Sequence, residues 1–422
     1  MRFASASYGS SFLKFMRIGK EMPILRALDD THHELRSFAH HTQSDTDSIL
    51  LSSFVDPQGG SDSTGATNTG VPMVHYISLD HESKAVVLAC RGTLGFEDVL
   101  ADMTCDYDDL VWQGCTYKVH KGIHASARRL LYGGDGRVLL TLRQALEEFE
   151  DYGIVLTGHS LGGAVTALLG VMLSEPASTG TSFVTSGTES HRLLPSSQAD
   201  SPDQPTPPSP PIITLPPGRP IHVYAYGPPA TMSSSLRRAT RGLITSVVHG
   251  TDLVPYLSLG VLHDLQAVAL AFKTDNADAK TEVRQRIWEA FQTGLANKWY
   301  AQPSADDDRR FMPRDGDDDG EEWAWAALKV LRASMMSRKL VPPGEVFAVE
   351  SAAVLRRDAF VALEGGGEQL GGPARRVVLK YVRDVEARFR EVRFGTGMLT
   401  DHSPGKYEDA LMRLRVGIMD GG

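Results

Sequence analysis

A lone serine between glycines, in Gly158-His159-Ser160-Leu161-Gly162, is the feature of this sequence best suited to chemistry. The run before it, Ile154-Val155-Leu156, is short, branched and apolar, as a strand buried on both faces would be, while Ala164 to Met172 is rich in helix formers. Ser160 therefore sits at a strand-to-helix turn. A turn that sharp drives its central residue toward positive φ and leaves no room for side chains beside it, which accounts for Gly158 and Gly162. The geometry lifts the hydroxyl clear of the sheet and aims the first amides of the following helix at whatever the hydroxyl attacks. That is the layout of a nucleophile.

A serine hydroxyl attacks poorly unless a base takes its proton, and the base needs an acid to fix its tautomer and stabilise its cation. Where a serine sits on such an elbow, the chain order is Ser, then Asp or Glu, then His. Asp252, in "SVVHGTDLVPYLS", follows a strand-like run and precedes a proline-containing turn, whereas Asp264 lies past that turn and is less well placed. Among the downstream histidines, His222 and His249 precede the acid and His263 follows it too closely. His402, in "GMLTDHSPGKYEDAL", lies in a loop between a strand-like run, Arg388 to Phe394, and a final helical pattern. It is the best-placed base.

Attack on an acyl group also requires donors for the developing oxyanion. One is expected from the amide of Leu161, directly after the nucleophile, and the other from Thr93 in "CRGT", at the end of an earlier strand. After Thr93, the residues Phe96, Val99, Leu100 and Met103 recur at i, i+3, i+4 and i+7 with acids between them, a short amphipathic helix. It reads either as core packing or as a lid that covers the site in water; its place beside the oxyanion donors favours a lid.

These residues need a scaffold that brings strand ends together. The runs Ala85 to Ala89, Ile154 to Leu156, Ile221 to Ala225 and Leu243 to Val248 are strand-like, and helical patterns at Ala125 to Tyr132 and Val138 to Glu150 lie between them. Alternation of this kind predicts an α/β fold: a mostly parallel central sheet with helices on both faces. Ligands of such sheets bind at the carboxyl ends of the strands, where "CRGT", "GHS" and "HGTD" all fall.

The 422 residues fit one large domain, 1–422, carrying two insertions. The first, 174–220, turns to Ser, Thr and Pro and reads as a disordered insertion, with Ser-Pro and Thr-Pro pairs at Ser201, Thr206 and Ser209 open to phosphorylation. The second, 265–341, joins two helical patterns to an acidic run and separates the candidate acid from the candidate base. Asp315, Asp317 and Asp319 imitate the opening of a calcium loop, but the twelfth position is Ala326 rather than Glu, so no metal site is expected. His120 and His124 lack the glutamate of a zinc-protease helix.

A net charge of −9, from 43 basic and 52 acidic residues, argues against nucleic acid as a partner. Three cysteines without a C-x-x-C pair suggest a reducing, cytoplasmic setting, and no run of 18 apolar residues appears. The N-terminal segment, with Lys14 and Arg17 among Phe12, Leu13, Phe15 and Met16, reads as a first helix packed on the core or one lying on a membrane surface.

With these residues located, the sequence resembles the class 3 lipases, and among them the intracellular sn-1-specific diacylglycerol lipases. The matching stretches are "CRGTLGFEDVLADMTCDYDDL", "VHKGIHASARRLL", "GIVLTGHSLGGAVTALL", "VYAYGPPA", "VVHGTDLVPYLS" and "DHSPGKYEDAL", in family order from about Val86 onward. The resemblance implies an α/β-hydrolase fold, a nucleophile at Ser160, an acid at Asp252, a base at His402, oxyanion donors around Thr93 and Leu161, and a lid over Leu94 to Asp109. It also implies hydrolysis of an outer acyl ester of a glycerolipid at a membrane surface, peripherally bound, without a cofactor. About 150 residues separate Asp252 from His402, more than compact members of the family use. A phospholipase A1 or monoacylglycerol lipase would use the same motifs. A non-catalytic scaffold recruiting a partner through the Pro-rich segment has no need of all four catalytic elements.

Overall fold

The structure, a computed structural model, describes residues 1–18, 32–53, 74–92, 106–178, 180, 182–187, 191–192, 212–265, 337–353, 375–393, 395–416 and 419–420. The lid residues Phe96, Val99, Leu100 and Met103, together with Thr93 and the acidic run around Asp315, lie outside these. The described chain forms two units: 1–258 with 340–422, and 259–339. In the second, the buried Asp264 carboxylate is ion-paired with Lys339 and accepts the Ser337 amide at 3.1 Å, which gives that acid a structural partner of its own.

The first unit is built on a nine-stranded sheet whose spatial order is the chain order. Its strands are β1 (Ile49–Ser52), β2 (His75–Asp80), β3 (Ala85–Cys90), β4 (Gly153–His159), β5 (Ile221–Tyr226), β6 (Ile244–His249), β7 (Glu345–Ala353), β8 (Arg375–Tyr381) and β9 (Met419–Asp420). From β3 to β7 all neighbours run parallel, and the flanks close with antiparallel pairs. The parallel strands are the apolar ones, since helices bury both of their faces.

Four helices frame the site. Arg2–Ala6 (α1) and Pro404–Val416 (α6) pack Ala4, Tyr407 and Ala410 against Tyr226, Val247 and Val349 on one face. On the other face lies Leu161–Leu173 (α5), almost wholly buried because Lys121–Tyr132 (α3), itself packed beside Arg137–Glu148 (α4), covers its outer side. Gly170 of α5 touches Val223, where a Cβ would come within 2.3 Å of that side chain. With parallel strands and crossover helices, the strand ends carrying His159, Tyr226 and His249 share one edge. This is the α/β-hydrolase arrangement.

Two expectations from the sequence are corrected. The segment 174–220 is not disordered throughout: Ser174–Pro176 pairs with Phe183–Thr185, and Thr185 takes the Arg219 carbonyl. Phe183 is buried against Trp112, whose indole N–H donates to the Ser174 carbonyl at 3.0 Å, so two aromatic anchors hold what its Ser/Pro composition hides. Nor do the described residues of the Arg388 to Phe394 run, 388–393, form a strand; Phe394 lies outside the described residues. Asp384 caps a helical turn, Val385–Arg388, through the Ala387 amide at 2.9 Å, and Phe389 buries its ring on Tyr256.

Candidate active site

Ser160 ends β4 and begins α5 with φ 57° and ψ −130°. For a residue with a side chain this backbone is strained by about 1–3 kcal/mol, a cost that only over-determined surroundings maintain. The Ser160 amide donates to the Tyr226 carbonyl at 2.8 Å, which pins the turn to the next strand. A Cβ on Gly158 would fall 2.3 Å from the Gly162 carbonyl carbon, and one on Gly162 would fall 2.3 Å from the Cys90 carbonyl oxygen. Both glycines are required by close backbone approach. Leu161 opens α5, so its amide is among the first-turn N–H groups that no helical carbonyl can satisfy.

The hydroxyl of Ser160 lies 2.8 Å from His402 Nε2, and His402 Nδ1 lies 2.9 Å from Asp252 Oδ2. Asp252 is fully buried and Ser160 nearly so, while the His402 side chain keeps 16% exposure. Asp252 also accepts the Val254 amide on Oδ1 at 2.9 Å. The three residues thus form one hydrogen-bonded line able to draw a proton from the hydroxyl, at the positive end of a helix.

The 150 residues between acid and base are spanned by a second set of contacts. Asp401 Oδ2 accepts the Thr251 amide at 2.9 Å and its hydroxyl at 3.0 Å, the Leu253 amide donates to Met398 at 3.0 Å, and Lys406 pairs with Asp401 at 2.9 Å. Burial pushes the Asp401 carboxyl up, but the Thr251 amide and the Lys406 ammonium outweigh it and hold the group below its ordinary range. The loops at 249–253 and 398–402 are stitched together however long the intervening chain. His249 contributes to that stitching, with Nδ1 3.3 Å from the Asp401 carbonyl, while His222 pairs with Thr245 on the sheet. His120 caps α3 and His124 pairs with Asp108 at 2.8 Å.

Two tyrosines escape a reading from sequence. The buried Tyr407 donates to Asp252 Oδ2 at 2.5 Å and accepts the His249 amide at 3.1 Å. Burial, then the Asp252 charge, raises its phenol well above the ordinary value, so it stays a donor. Its one sequence signal is its place on the helix that starts directly after the His402 loop. Tyr407→Phe leaves a buried carboxylate short of a donor and the His249 amide without its acceptor. Its unfolding free energy is expected to fall by about 2 kcal/mol, measured by urea titration at unchanged m-value. Tyr8, from the N-terminal segment, hydrogen-bonds through its hydroxyl to His159 Nδ1 at 2.8 Å.

The chain is similar to known lipases over part of its length. The family model for Lipase (class 3) matches residues 87–188. Diacylglycerol lipase-beta of Mus musculus is 29% identical over 199 residues, 45% of this chain and 22% of that protein. Diacylglycerol lipase-alpha of Homo sapiens is 28% identical over 193 residues, 44% of this chain and 15% of that protein. The chain therefore spans less than a quarter of the length of these relatives. The crystal structure of mono- and diacylglycerol lipase from Aspergillus oryzae is 18% identical, covers 61% of this chain and 70% of its own, and superposes with a TM-score of 0.36.

Proposed function

We propose that this chain, whose residues 87–188 match the class 3 lipase family model, is a serine lipase that hydrolyses the outer, sn-1 acyl ester of diacylglycerol or a related glycerolipid at a membrane surface. The observation that carries this reading is the unbroken line from Ser160 Oγ through His402 to Asp252 at the start of α5. Ser160 attacks the ester carbonyl as His402 takes its proton. The Leu161 amide and Thr93 receive the charge that develops on the carbonyl oxygen. His402 then protonates the departing glyceride alcohol, and a water activated by the same histidine releases the fatty acid from the acyl-enzyme.

A membrane surface is the natural setting for such a substrate. In Ser10–Met16 (α2), Phe15 is 81% exposed, with the cationic Lys14 and Arg17 beside it. Leu399, three residues before the base, is 53% exposed. Apolar and cationic side chains together suit an anionic lipid interface. Among the described residues no helix is long and apolar enough to cross a membrane, and the described cysteines, Cys90 and Cys115, are free. Peripheral attachment is the reading that the exposed Phe15 and Leu399 support.

The test is product analysis on vesicles of 1,2-diacylglycerol and, in parallel, of phosphatidylcholine. Release of 2-monoacylglycerol is the expected result. Lysophospholipid instead would move the substrate to phospholipids. Silence on both substrates, with folded protein and detergent present, would favour a binding scaffold.

A further inference from the structure

Behind the nucleophile lies a buried pair that the proton path does not use. His159, immediately before Ser160, is 1% exposed, and its ring centroid stands 4.6 Å from that of His402 at an interplanar angle of 36°. Its Nδ1 is held by the Tyr8 hydroxyl at 2.8 Å, and among the described residues its Nε2 has no hydrogen-bond partner of ordinary geometry. Tyr8 is itself buried, stacked on Phe12 at 4.6 Å. A Cβ on Gly92 would meet the Tyr8 hydroxyl at 2.6 Å, the His159 carbonyl at 2.7 Å and the Ser160 Cβ at 2.9 Å. The end of β3, the elbow and the N-terminal segment thus converge on one point.

We propose that Tyr8 and His159 are positioning residues: they lock the elbow to the Gly92 backbone, and they present a permanently neutral ring to His402 so that the cation formed there meets no second positive charge. The inference rests on His402 being the base, and adds what keeps it effective.

Counting protons supports the neutral form. The Tyr8 oxygen accepts from the Gly92 backbone and lies on His159 Nδ1, while the His402 backbone carbonyl is the acceptor on the far side of the ring; in the proposed tautomer the Tyr8 proton goes to Nδ1 and the imidazole proton sits on Nε2. Around His159 stand His402, Tyr8 and Tyr407, whose ring lies 5.4 Å away, with Asp252 behind His402 and the Arg91 guanidinium beyond Tyr8. Among the described residues no carboxylate bonds to His159 itself, and burial, then the charge of His402, holds it well below the ordinary histidine range. A cationic His159 would repel the imidazolium of His402 at the step where that ion must form.

The experiment uses the full chain and reads the serine without lipid: the rate of fluorophosphonate labelling, and kinetics on p-nitrophenyl butyrate. Tyr8→Phe is expected to slow labelling and kcat by about tenfold with KM unchanged, and Tyr8→Phe combined with His159→Asn to lose no more than the worse single variant. Labelling of Tyr8→Phe at the wild-type rate, or losses that simply multiply in the double variant, overturns the proposal while leaving the hydrolase reading intact. A wild-type chain that does not label sinks the hydrolase reading instead. In that case, or if Tyr8→Phe does not fold, imidazole nitrogen NMR of the wild type decides. A His159 proton fixed on Nε2 down to about pH 5 upholds the pair, and a cation or an Nδ1 proton there overturns it.

Discussion

Ser160→Ala is expected to fold normally and to lose ester hydrolysis by about 10^4- to 10^6-fold, measured on a short-chain ester and on diacylglycerol vesicles. The size of the loss follows from the arrangement. His402 and Asp252 are oriented for one hydroxyl, and with that hydroxyl gone the helix start and the remaining oxyanion donors polarise a carbonyl that nothing attacks. The same residue carries the site's clearest conformational cost, at φ 57° and ψ −130°. Ser160→Gly enters positive φ without a side-chain clash and recovers part of about 1–3 kcal/mol of strain, offset by glycine's greater entropy in the unfolded chain. Its urea midpoint is therefore expected at or above that of the native chain, while Ser160→Val, β-branched in the same backbone, falls well below it. Equal activity of Ser160→Ala and wild type would remove Ser160 from the reaction.

What the sequence reveals of this site follows how local each constraint is. Ser160, Gly158 and Gly162 are visible because the strained turn packs the backbones of positions 158 and 162 together and admits few residue types over five consecutive positions. Asp252 and His402 are visible through chain order and their places after a strand and before a helix. Tyr407 and Tyr8 are not, because each acquires its partner only when segments 155 and 151 residues apart meet. The parallel strands β3 to β6 announce themselves as apolar runs, since both faces are buried. The antiparallel flank does not: β8 alternates a buried Val377 with the exposed Arg376, Leu379 and Lys380, a pattern without a continuous apolar core. The reading of Arg388 to Phe394 as a strand failed for a related reason. Phe389 and Val392 are apolar because they pack on the cluster around Val346 and Val385, and no sheet edge receives them.

Asp252→Asn is the sharper test of how the site works, because it keeps the shape and reverses a proton. Oδ1 of Asp252 accepts the Val254 amide at 2.9 Å, so an asparagine oxygen is held at that position. Its NH2 then takes the place of Oδ2, facing both His402 Nδ1 and the Tyr407 hydroxyl. Two donors now meet where an acceptor stood. His402 is driven to the tautomer that accepts at Nδ1 and carries its proton on Nε2, pointing at Ser160, where it cannot take the serine proton. Turnover is expected to drop by about 10^4-fold with KM little changed. The Tyr407 hydroxyl must turn away from its former acceptor as well. Asp252→Asn combined with Tyr407→Phe removes that second conflict, and is expected to regain stability relative to Asp252→Asn without regaining turnover. If the double variant instead recovers activity, the conflict at Tyr407 and not the His402 tautomer limits the reaction, and Asp252 acts mainly by holding the loop. If Asp252→Asn turns over like wild type, the carboxylate's charge and its acceptor geometry are both dispensable, and the line from Ser160 through His402 does not need its third member.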